Sequence, residues 1–107
     1  MLALLLALLA LCPEPAPEPV DFVDARIVGF LPQGYHADII LAVGVDSGIA
    51  VGDRGFVACA PNEVVVLEVW PHRAKARMTL DGAPPRLTKV RVMLRGQAPV
   101  RWCPPPP

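Results

Sequence analysis

Between Val20 and Trp102, apolar residues alternate with polar ones or run together. No stretch keeps the 3.6-residue spacing of an amphipathic helix, and β-branched residues dominate the apolar runs. The pattern predicts six strands: Phe22–Leu31, Ala37–Val43, Gly55–Ala60, Glu63–Trp70, Arg73–Leu80 and Leu87–Leu94. Turn formers separate them: Pro32-Gln33-Gly34, Gly44 through Asp53, Pro61-Asn62, Pro71-His72 and Asp81-Gly82-Ala83-Pro84-Pro85. Six strands in about 80 residues predict an all-β fold, a small antiparallel barrel or sandwich. Closure would hide the edges of so apolar a sheet.

One hairpin can be given a register. With Val69 opposite Ala74, Leu67 faces Ala76 and Val65 faces Met78, all on one apolar side. The other side then pairs Trp70 with Arg73, Glu68 with Lys75 and Val66 with Arg77. That arrangement predicts a cation–π contact for the first pair and an ion pair for the second. Pro71 cannot take the positive φ of a type I′ turn, so a connection longer than two residues fits better.

The two ends read differently from the middle. Leu2 to Leu11 has no polar side chain, and its ten residues are half of what a membrane span requires. It matches the apolar part of a secretory signal and runs straight into Cys12, as in a bacterial lipoprotein signal that ends at a lipidated cysteine. Pro13, Pro15, Pro17 and Pro19 then block helix and strand, which predicts a stiff, extended, acidic spacer. Pro104 to Pro107 close the chain. The expected organisation is a signal or lipoprotein segment over 1–12, a proline-rich spacer over 13–20, an all-β domain over 21–102 and a proline-rich tail over 103–107. The expected location is exported: a membrane-anchored lipoprotein, or a periplasmic or secreted protein.

Charge sharpens this picture. The 107 residues carry ten bases and ten acids, yet residues 1–71 hold a net charge of −7 and residues 72–107 a net charge of +7. Zero overall charge argues against a general nucleic-acid binder, and no interleaved aromatic platform exists. The bases of the last two strands alternate: Arg73, Lys75 and Arg77, then Lys89 and Arg91. They predict one basic face on an Arg73–Leu94 hairpin, suited to an acidic envelope protein, an anionic lipid or a cell-wall polymer. The plainer reading is a solvated face partly neutralised by acids of the first half.

Other chemistry is sparse. Of three cysteines, Cys59 and Cys103 are expected to pair in an exported chain; the alternative is a buried thiol at Cys59 and an exposed one at Cys103. Zinc spacing and a phosphate loop are absent, and Asp46 with Asp53 offers too few carboxylates for calcium, so no metal or cofactor is expected. His36 and His72 read as solvated turn residues, and Ser47 lies in no nucleophile elbow.

The most distinctive stretch is Gly44 to Gly55, with glycines at 44, 48, 52 and 55 expected in tight turns at positive φ and Asp46 and Asp53 capping those turns. Gly44, Asp46, Gly48, Ile49 and Gly52 resemble the glycine-punctuated loop of small envelope barrels, the β-domain of the rod-shape protein MreC and similar barrels in the flagellar protein FlgT. Val64 to Asp81 resembles the strand, proline turn and strand that follow it there. The resemblance implies a non-catalytic envelope barrel that binds partners or assembles with itself as a homo-oligomer. Asp46-Ser47-Gly48 also resembles the Asp-Ser/Thr-Gly signature of retroviral-type aspartic proteases. That alternative implies a homodimer in which two copies of Asp46 share a proton and activate water, with Ser47 orienting the carboxylate. A third expectation is a domain whose exposed apolar strands pair with another chain.

Overall fold

The six apolar segments pair edge to edge until the sheet closes on itself. In a computed structural model, which describes residues 21–80, 86 and 88–105, they form a closed antiparallel barrel. The segment 1–12 with Cys12, the spacer 13–20, the turn 81–85, Leu87 and the last two prolines lie outside the described residues. The strands are β1 (Phe22–Gln33), β2 (His36–Leu41), β3 (Arg54–Val57), β4 (Glu63–Val69), β5 (Ala74–Thr79) and β6 (Lys89–Met93). Around the ring they run β1-β2-β5-β4-β3-β6, and β6 pairs back onto β1. A single 3-10 turn, Val45–Ser47, interrupts the β structure among the described residues.

The lumen is filled by the inward side chain of every second residue. Ile39, Leu41, Met78, Val57, Val64, Val66, Val90 and Val92 are fully buried, and Ala25, Ala37, Ala74 and Ala76 fill the places between them. A six-stranded ring is narrow, so small side chains must alternate with large ones. Ile49, carried by the β2–β3 connection, plugs the end where β1 begins. That end, called the near end below, also holds the β4–β5 turn and the bend after β6. The far end holds the β1–β2 and β3–β4 turns.

Two register expectations are corrected. The β4–β5 pairing starts as expected with Val69 opposite Ala74 and Glu68 opposite Lys75, but a bulge at Leu67 shifts it by one residue. Val66 therefore meets Ala76 and Val64 meets Met78, both pairs inside the barrel, while Val65 and Leu67 turn outward. One inserted residue is enough, because side-chain direction has period two. Second, β5 and β6 do not form a hairpin. Each bonds to two other strands, and they lie on opposite sides of the ring.

Glycines at 48 and 52 take the expected positive φ, 86° and 92°. Gly44 and Gly55 serve a different need, the close approach of two backbones. A Cβ on Gly55 would collide with the Arg91 carbonyl across the β3–β6 seam, and one on Gly44 with the Trp70 carbonyl. Beyond β6 the chain bends at Arg95 and Gly96 and runs back along the outside of β6 and β3. A disulfide joins Cys59 to Cys103, with Cα atoms 4.5 Å apart. Cys59 is not in a strand; it sits exposed in the turn after β3, at φ 57°.

Two outcomes follow from these contacts. Gly55→Ala should lower the unfolding free energy by about 3 kcal/mol or more, read from the urea midpoint, because the clash is with backbone and cannot be relieved by a rotamer change. The Cys59→Ser, Cys103→Ser double variant should lose up to about 4 kcal/mol, since the bridge closes a loop spanning 44 positions.

Candidate functional site

Because β5 and β6 face away from each other, the five predicted basic residues do not share a face. Lys89 and Arg91 lie on β6, Lys75 and Arg77 on β5, and Arg73 in the turn before it. Each group meets one carboxylate from a neighbouring strand. Arg91 is opposite Asp24 of β1 and donates to both of its oxygens, at 2.7 and 3.0 Å. These hydrogen bonds hold the Arg91 pKa above its ordinary value. The same guanidinium lies 4.0 Å from the centre of the Phe22 ring and 4.2 Å from that of Trp102. Arg91 is thus a clamp between β1, β6 and the returning C-terminal segment, not a free cation. Trp102 completes the clamp by donating Nε1–H to the Phe56 carbonyl at 2.7 Å, and Cys59 N–H donates to the Trp102 carbonyl.

On the other side of the barrel, Asp38 of β2 lies opposite Arg77. Its carboxylate is nearly buried and draws in two cations, Lys75 Nζ at 3.7 Å and Arg77 Nε at 3.5 Å. Gln33 Nε2 donates at 3.3 Å to Oδ2, the same oxygen that Lys75 approaches. The expected Glu68–Lys75 ion pair is replaced by this one, although the two residues remain cross-strand neighbours. Arg73 makes no cation–π contact with Trp70; its guanidinium donates to the His72 carbonyl at 3.0 Å. Arg73, Lys75 and Arg77 form a cationic stripe along the outer wall of β5, offset by Asp38 beneath it and by Glu68 of β4 opposite Lys75.

Beside that stripe the Leu67 bulge makes a shallow apolar groove, about 360 Å³, lined by Val65 and Leu67 with Glu63, Arg77 and Thr79 at its margins. The regular register sets Val65 and Leu67 on the apolar side with Met78 and Ala76; the bulge turns both outward and opens the groove. The one available signal was the run Val64-Val65-Val66-Leu67, which supplies apolar residues to both faces of a strand. The outer wall is therefore divided. The C-terminal segment covers β3 and β6, and the β4–β5 wall stays open among the described residues.

The Gly44–Asp53 loop is built to close the near end. Asp53, buried, accepts from Ala50 N–H at 2.9 Å and from Gly96 N–H at 3.4 Å, which ties the loop to the bend after β6. Asp46 accepts from Gly44 N–H at 3.2 Å and from His72 Nδ1 at 2.9 Å. The His72 hydrogen bond holds the Asp46 carboxyl below its ordinary value; slight desolvation opposes it. Ser47 follows in the 3-10 turn, its N–H donating to the Gly44 carbonyl. His36 is not a solvated turn residue. It opens β2, half-buried, with its Nε2 shielded and unbonded.

Among the described residues no three His, Cys, Asp or Glu side chains gather closely enough to hold a metal ion. No family model, curated protein or solved structure matches the chain.

The Asp46 contact has a defined pH signature. A folded value below 3.8 means that its contribution is fully present above that pH and is lost as pH falls through the lower folded value. An NMR titration should place the Asp46 midpoint below 3.8 in the native protein and return it toward 3.8 in His72→Ala, since His72 is the largest cause of the shift.

Proposed function

We propose that the chain is a non-catalytic, exported β-barrel module of a bacterial cell envelope, anchored through its N-terminal segment, that binds an extended acidic stretch of an envelope protein along the β4–β5 wall. The observation that carries this reading is the division of the outer wall. One side is sealed by the chain's own C-terminal segment, while the other offers an apolar groove beside Arg73, Lys75 and Arg77. Val65 and Leu67 offer apolar contact, and exposed Arg73, with the two cations that share Asp38, offers partners for carboxylates. A peptide can supply both, whereas a cell-wall polymer or a lipid headgroup has little apolar surface to fill the groove.

Export is supported by two independent features. The apolar run Leu2 to Leu11 ends at Cys12. A disulfide holds the C-terminal segment in place, and such bonds persist in oxidising compartments. The likeness of the Gly44–Gly52 loop to envelope barrels agrees with both.

A peptide alternating glutamate with leucine should bind the full chain, with affinity measured by fluorescence anisotropy. Leu67→Asp combined with Arg73→Glu should weaken it at least tenfold, about 1.4 kcal/mol, with the far-ultraviolet circular dichroism unchanged. Neither substitution leaves a buried charge. Equal binding by the variant would remove the β4–β5 wall as the binding face.

A further inference from the structure

The near end carries apolar surface that the barrel does not use. Val45 is 62% exposed, Val51 66% and Trp70 42%, while Ile49 of the same loop is buried beneath them as the plug. Backbone bonds gather these residues at one end. Val45 N–H donates to the Trp70 carbonyl at 2.9 Å, Asp46 N–H to the Pro71 carbonyl at 3.3 Å, and Gly52 N–H to the Val66 carbonyl at 2.9 Å. Arg73 and His72 lie in the adjoining turn, and Arg95 in the bend after β6, paired with Asp21. The result is an exposed tryptophan and two valines flanked by Arg73 and by the Arg95–Asp21 and His72–Asp46 pairs, an aromatic and polar rim of the kind found at the water–lipid boundary.

The position of the chain's entry says what covers this surface. Leu94 N–H donates to the Asp21 carbonyl at 3.0 Å, so residues before 21 join the barrel at the near end. Eight residues, 13–20, separate Asp21 from Cys12. Cys12 and Asp21 are thus nine steps apart, and at the roughly 3.5 Å per residue ceiling of any extended chain they lie about 32 Å apart at most. A tether joined at the near end concentrates that end at the bilayer ahead of the far end, with exposed Leu31 and Tyr35.

We propose that the near end of the barrel, through Val45, Val51 and Trp70, docks on the headgroup region of a lipid bilayer. This rests on the anchoring half of the proposed function. The end-on stance leaves the β4–β5 wall standing upright and accessible.

The chain's two tryptophans test the stance. Trp70 lies at the near end, whereas Trp102 lies on the side wall against Arg91 and Phe56. The full chain is reconstituted into vesicles of phosphatidylethanolamine and phosphatidylglycerol doped with brominated phosphatidylcholine, and co-sedimentation is scored alongside tryptophan quenching. In Trp102→Phe, Trp70 emission should shift to the blue and be quenched at least twofold. In Trp70→Phe, Trp102 emission should change little. Val45→Asp with Val51→Asp, both at exposed positions, should abolish Trp70 quenching while the chain still sediments. Sedimentation with Trp70 unquenched, or with both tryptophans quenched alike, overturns the docking face and leaves anchoring intact. A chain that stays in solution overturns the anchoring reading, and the docking face with it.

Discussion

The barrel depends on β6 finding two edges at once. This strand has five residues, and it pairs with β1 along one side and β3 along the other. Without it the sheet would be an open arc of five strands with two exposed apolar edges. The seam works because Gly55 lets the β3 backbone lie against the Arg91 carbonyl, and because Val90 and Val92 enter the lumen between alanines and larger aliphatic side chains. Everything outside the barrel is then positioned by that closure. Arg91, facing outward from the same strand, is presented to Asp24, Phe22 and Trp102, and so closure also fixes where the C-terminal segment lies.

Closure creates two sides of different character. On the β3–β6 side, stacking on Arg91, the Trp102 hydrogen bond and the Cys59–Cys103 bridge act together on a segment with no strand of its own. On the β4–β5 side a single bulge breaks the alternation and turns two apolar residues toward solvent beside the cations of β5. A bulge re-aims side chains at the cost of a local break in the ladder, and here it shifts the register of β4 on β5 by one residue. The glycine loop gives the ends unequal roles. It seals the near end with Ile49 and leaves Val45 and Val51 outside.

Much of the fold was legible because strand alternation is local. The six strands, the turns between them among the described residues and the pairing of Glu68 with Lys75 can be read from apolar spacing and turn residues. The candidate site was less legible. Val65 and Leu67 keep a period that reads as core until the bulge shifts it, and the bulge arises from matching β4 to β5 inside a ring whose curvature the sequence does not announce. The alternating bases were visible as a pattern, but a pattern cannot say which strand lies beside which. Chain neighbours β5 and β6 read as a hairpin, yet each is paired on both edges by other strands.

The sequence by itself determined the all-β class, the number of strands, the polarised charge and the identity of the glycine and aspartate residues in the loop. These follow from side-chain chemistry and from spacing within a few residues. Only the tertiary structure decided that the basic residues separate to opposite sides, that Arg91 is stacked and neutralised, that Leu67 faces outward, and that Gly44 and Gly55 answer to backbone contact instead of positive φ. Each of those depends on residues far apart in the chain, brought together by closing the barrel, and closure is a property of the whole sheet that no local stretch contains.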